Sequence, residues 1–215
     1  MFVPEEVLDG VRELITIGVG RSAGMLNRLT NAHVTLTVPQ VYISDTISEY
    51  AEIIASGSSG NENTSQVILK FSGEFTGSMS LIIPHSSALN LVILLTGEES
   101  SHDEMDALRV ETLLEVGNII ISAVMSALGI LLKSRLTFQF PIYRAETLDQ
   151  FPSYQAETRD LISSLIIKPS DIGIMTNIHF CVQEKEIEGN VFILLTRESY
   201  KNLTSSITTI MEKGL

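Results

Sequence analysis

The chain has 215 residues, with 14 Lys and Arg against 26 Asp and Glu and a net charge of −12. That length can bury a proper core, and 44% hydrophobic with 19% charged residues is a globular composition, not a disordered one. An acidic chain without a basic cluster argues against nucleic acid and anionic lipid as partners and suits a contact surface bearing Lys or Arg.

The predicted elements, in chain order, form two similar sets. A long helix is expected over 5–31, a strand over 33–43, a Gly/Ser/Asn-rich loop over 55–65, a hairpin of 65–73 with 76–84, and a helix over 86–96. Residues 98–104 join the halves and offer caps for the next helix. The second set has a helix over 104–134, a strand over 135–144, a hairpin of 174–184 with 187–196, and a helix over 197–213. Residues 156–168 fit either helix or strand.

The two sets are a tandem repeat. Shifted by 102 residues, Glu13 falls on Glu115, Ile17 on Ile119, Leu26 on Leu128, Thr35 on Thr137 and Pro39 on Pro141. Further along the shift is 112, and Gly77 falls on Gly189, Ser87 on Ser199 and Asn90 on Asn202. About ten extra residues therefore sit in the second half, within 144–170. The expectation is one α+β domain over 1–215, built from repeats of about 1–100 and 101–215. Its two long helices should lie side by side on one face of a shared antiparallel sheet, related by an approximate twofold axis.

Both long helices carry a narrow polar stripe. With Glu111 at zero on a helical wheel, Glu115, Asn118 and Ser122 fall at about 40°, 340° and 20°. Leu113, Val116, Ile120 and Val124 lie opposite and should be buried, while Glu111, Glu115 and Asn118 should reach solvent. In the first half Asp9, Glu13, Thr16, Gly20, Gly24 and Asn27 share the stripe, with Val11, Leu14, Met25 and Leu26 opposite. Small residues in a stripe permit close approach of another backbone, and Gly18, Gly20 and Gly24 are expected to serve helix packing.

A Glu and an Asn three apart point the same way. The carboxylate can fix a cationic lysine, and the carboxamide can orient a water through its donor and acceptor. Neither is a nucleophile at neutral pH, so such a pair would act by positioning. By residue type alone, a solvated helix face is the better explanation of Glu-x2-Asn.

The longer spacing is more specific. It reads Glu111-x3-Glu115-x2-Asn118-x22-Pro141 in the second half and Asp9-x3-Glu13-x2-Thr16-x22-Pro39 in the first. This resembles the CheC/CheX/FliY family of chemotaxis phosphatases, whose motif is (Asp or Ser)-x3-Glu-x2-Asn-x22-Pro, and two copies in one chain look most like its CheC branch. The resemblance implies a hydrolase that dephosphorylates the aspartyl phosphate of a CheY-type receiver. Glu115 would pair with the receiver's lysine, Asn118 would orient the attacking water, and Mg²⁺ would be held by the receiver, with no cofactor or metal on this chain. Glu111 and Asp9 would be partner-binding residues. Glu13 and Thr16 would form a degenerate first site, because a hydroxyl replaces the amide. Pro141 would end or bend the strand after the helix. A second reading is a binding module for a receiver or a CheD-type deamidase, without turnover.

Other features carry less. Cys181 is the one cysteine, so an intramolecular disulfide is excluded and a Cys/His zinc site is not expected; it reads as a small buried strand residue. His33, His85, His102 and His179 are dispersed, and Ser86 and Ser87 beside His85 lack a Gly-x-Ser-x-Gly elbow. Met25, Met79, Met125 and Met175 read as core filling. Tyr200, Leu203, Ile207 and Ile210 share one face of the last helix and should pack on the sheet. The N-terminal MFVPEEVLDG has no signal-peptide pattern. Pro84, His85, Asn118 and several Ser and Gly interrupt the apolar stretches, so no membrane span and a cytoplasmic location are expected.

Overall fold

A computed structural model describes residues 3–30, 33–38, 40–45, 64–97, 105–131, 133–146, 172–182 and 185–213. The elements are α1 (Glu5–Thr30), β1 (Val34–Thr37), β2 (Val41–Ser44), β3 (Thr64–Gly73), β4 (Gly77–Pro84), α2 (His85–Thr96), α3 (Ala107–Leu131), β5 (Leu136–Phe138), β6 (Ile142–Glu146), β7 (Ile172–Val182), β8 (Lys185–Leu195) and α4 (Arg197–Lys213).

The eight strands form one antiparallel sheet, in the order β1–β7–β8–β4–β3–β5, with β2 also on β7 and β6 also on β3. Exchanging the halves turns this order into itself reversed. The two hairpins meet through β4 and β8 at the centre, with Ser80 opposite Phe192. The short strands cross over: β1 and β2 complete the second half's hairpin, and β5 and β6 complete the first half's. The four helices among the described residues pack on one face, over a core that includes Val67, Leu69, Met79, Leu81, Ile174, Val191 and Ile193. The opposite face also holds buried side chains, among them Ile82, Met175 and Phe192.

The expected strands 33–43 and 135–144 are each two strands. Between Phe71↔Phe138 and Ile68↔Ile142, three residues of one strand oppose two of the other. Between Thr37↔His179 and Val41↔Thr176 the count is the same. These are matching β-bulges. Pro141 sits in one of them, where a missing N–H costs the ladder nothing; Pro39 lies outside the described residues. The loop expected over 55–65 ends sooner, because Thr64 and Ser65 already pair with Pro84 and Ile83. The rest of that loop, 98–104 and 156–168 also lie outside the described residues. The cap of α3 comes instead from Asp106, whose Oδ1 accepts from the Arg109 N–H at 2.9 Å.

The two long helices do lie side by side and run antiparallel. They touch at backbone distance. A Cβ added to Gly18 would stand 2.3 Å from Cα of Val124. Ser22, fully buried, donates to the Gly18 carbonyl at 2.9 Å and reaches the Ile120 carbonyl at 3.4 Å. A shift of 102 residues exchanges the two contacts: Gly18 with Val124 becomes Ile120 with Ser22. Of the three glycines expected at this packing, Gly18 alone makes it. A Cβ on Gly20 would meet nothing within 4 Å, and one on Gly24 would meet the flexible Arg28 guanidinium at 3.9 Å.

Several single-residue expectations change. Met25 is 38% exposed and fills no core, because it borders the open stripe of α1; Met79, Met125 and Met175 are buried. Cys181 is half-buried, because β7 ends there against the outer strand β1. Tyr200, Leu203 and Ile207 are buried as expected, against α1 as well as the sheet. By length and composition alone α3 could cross a membrane despite its Asn, Ser and Gly. Those residues are too few to lower its hydropathy, yet 67% of its most apolar window is buried inside the protein, where it is the central core helix.

Gly18→Ala is expected to destabilise by about 1–3 kcal/mol, because the helices must part. Gly20→Ala is expected to stabilise by up to about 1 kcal/mol through helix propensity. Urea unfolding of the two variants measures both, and the opposite signs test the crossing.

Candidate functional site

α3 places the second copy of the motif. Its core face is fixed by Leu113, Val116, Ile120 and Val124, all buried. Gly117 sets its height above the sheet: a Cβ there would lie 2.6 Å from Cγ1 of Val67 on β3. With that face held down, Glu111 and Glu115 are exposed and Asn118 is half-buried at the surface. The stripe therefore runs outward as the wheel predicts. Asn118 is not sealed into an internal network. Its Oδ1 accepts one hydrogen bond, from Ser122 Oγ at 3.2 Å.

α1 places the first copy by the same means, with Val11, Leu14 and Ile15 buried and Asp9, Glu13 and Thr16 exposed. The local chemistry differs. Asp9 is paired with Arg12 at 3.1 Å, and the equivalent of Arg12 in the second copy is the half-buried Leu114. Thr16 Oγ1 donates to the Arg12 carbonyl at 2.8 Å, so its proton is turned into the helix. Among the described residues neither Glu111 nor Glu115 is held in an ion pair, whereas Asp9 is.

The crossing keeps the copies apart. It is centred near residues 20 and 122, and Thr16 and Asn118 each lie about one turn before it. Since the helices are antiparallel, the two stripes end on opposite sides of the crossing. Other candidates do not join either stripe. His85 faces Ser65 (Nδ1 to Oγ, 3.3 Å), and Ser65 also meets the Tyr143 hydroxyl at 3.2 Å. Ser65 is 1% exposed, so this cluster ties β3, β6 and α2 together and presents no reachable nucleophile. Among the described residues, no three His, Cys, Asp or Glu side chains gather as metal donors. Asn27, placed in the first stripe, serves structure: its Oδ1 accepts from the Val34 N–H at 2.5 Å and ties α1 to the start of β1.

Gly117→Ala should lift α3 from β3 and destabilise by about 1–3 kcal/mol. Val67→Ala opens room for that methyl, so the double variant should lose less than the sum of the two single losses. Urea unfolding of the three variants gives the coupling.

No family model matches this chain. It is 26% identical over 212 residues to the CheY-P phosphatase CheC of Bacillus subtilis (strain 168), covering 94% of this chain and 93% of that one. Thermotoga maritima FliY superposes with a TM-score of 0.74 at 15% identity, over 97% of this chain and 99% of that one. A chain of the FliG–FliM complex from H. pylori superposes with a TM-score of 0.64 at 15% identity, over 94% and 100%. The likeness to the CheC/CheX/FliY family that the doubled motif carries thus extends over almost the whole chain, in sequence to CheC and in fold to FliY.

Proposed function

We propose that this protein is a phosphatase for the aspartyl phosphate of a CheY-type receiver in chemotaxis or two-component signalling, with its working centre at Glu115 and Asn118. The observation that carries the reading is the outward placement of this pair on a helix whose opposite face is buried in the core. The 26% identity to CheC supports the same reaction class.

In this reading Glu115 accepts from the receiver's active-site lysine and docks it. The exposed, unpaired carboxylates of Glu111 and Glu115 favour that approach. Asn118 then holds a water in line with the phosphoryl group. The water oxygen bonds to phosphorus as the bond from phosphorus to the aspartyl oxygen breaks, leaving orthophosphate and a carboxylate. The chain contributes position and polarity, and no covalent intermediate forms on it. Mg²⁺ belongs to the receiver. Thr16 leaves the first copy without an amide, and its hydroxyl is already committed to the helix.

A second reading is a binding module for a receiver or a CheD-type deamidase. The fold match to a chain of the FliG–FliM complex favours it, since that fold occurs in a protein assembly. Turnover separates the two.

Single-turnover decay of a phosphorylated receiver is the test. Asn118→Ala should slow the stimulated decay about 100-fold while docking stays nearly intact. Glu115→Ala should weaken docking at least about 10-fold and turnover with it. Glu13→Ala should change either by less than about twofold. Full activity in Asn118→Ala with loss in Glu13→Ala would move the centre to the first half. No stimulated decay with the unmodified protein would leave the binding module.

A further inference from the structure

We infer that Ser122 is a positioning residue for Asn118, restraining its carboxamide so that it is poised for the attacking water. This rests on the reading of Asn118 given above and adds a residue outside the doubled motif. Ser122 Oγ donates to Asn118 Oδ1 at 3.2 Å, one helical turn away. Other helical hydroxyls behave differently. Thr16, Ser22, Thr96 and Thr112 each donate to the backbone carbonyl four residues back, at 2.8, 2.9, 2.9 and 3.0 Å. That back-bond is the ordinary choice for a Ser or Thr inside a helix. Ser122 reaches instead for the side chain at that position.

The consequence lies in the symmetry of a carboxamide. Its oxygen and nitrogen ends are nearly the same shape, and its terminal torsion is broad and roughly twofold. An unheld amide at the surface therefore offers either end to a water. The bond from Ser122 restrains that torsion and holds the Oδ1 end against the helix. One Oδ1 lone pair is taken by Ser122, and the other, together with the Nδ2 hydrogens, stays available to the water. Ser122 and Asn118 are both half-buried. In the reaction the held water's oxygen bonds to phosphorus, the aspartyl oxygen leaves as carboxylate, and both water protons end on orthophosphate. The first copy has Gly20 at the equivalent place and lacks this hydroxyl as well as the amide.

A hydrogen bond of ordinary net strength biases the amide about fivefold. Ser122→Ala should therefore lower kcat for receiver dephosphorylation about fivefold with KM within about twofold and the melting temperature unchanged. Ser122→Thr keeps the hydroxyl and should retain more than about half of kcat. In an Asn118→Ala background, Ser122→Ala should cost nothing further, because its partner is gone. Full kcat in Ser122→Ala, an equal loss in Ser122→Thr, a loss tracking the melting temperature, or an additive loss in the double variant would each overturn the inference. If Asn118→Ala itself retains full turnover, the assignment of the centre fails. If Asn118→Ala loses turnover and Ser122→Ala does not, the role of Ser122 alone fails.

Discussion

The approach of α1 and α3 at backbone distance is the constraint on which the rest of the structure depends. With Gly18 against Val124 and Ser22 against the Ile120 carbonyl, no side chain of ordinary size separates the helices. Dispersion contacts are strongest at such distances and vanish quickly when they open. The buried Ser22 hydroxyl also supplies a polar link across the crossing. Once the crossing is fixed, the rotation of each helix about its axis is fixed too. The core then takes Leu14, Ile15, Ile120 and Val124, and the opposite arc of each helix is left outside.

That rotation explains why a polar stripe can be kept on such an apolar helix. α3 meets the sheet through Gly117 and Val67 and meets α1 through Val124, so two of its sides are committed. Glu111, Glu115 and Asn118 occupy the side left over. The first copy sits in an equivalent frame but fills it with different chemistry. Arg12 beside Asp9 and the back-bonded Thr16 turn an acidic, amide-bearing surface into a self-satisfied one. The difference is one of side chains on a shared backbone, not of fold.

Much of this was legible in residue order. Helical periodicity of period 3.6 separates Val116 and Ile120 from Glu115 and Asn118, and both fall where the wheel puts them. Alternation in Val34–Val38 and Leu136–Phe140 marks strands, and the spacing to Pro141 marks their interruption. What was not legible depends on partners far along the chain. Gly18 and Gly20 look alike in one dimension; only the position of Val124 tells a packed glycine from an open one. Met25 and Met125 look alike for the same reason. The cap from Asp106 could have been found from its place before an apolar run, whereas the acceptor chosen by Ser122 depends on a rotamer that no spacing encodes.

The crossing-over of the short strands has a consequence for how the repeat could drift. β1 and β2 lie on the hairpin of the other half, as do β5 and β6, so each half is finished by its sibling. Two separate copies of one half would have to be identical and would carry the same substitution twice. Joined in one chain, the halves need only stay complementary at the shared sheet and the helix crossing. Everything outside those seams is released from symmetry. A change such as Thr16 can then accumulate in one copy while Asn118 persists in the other, and the scaffold that holds both is undisturbed.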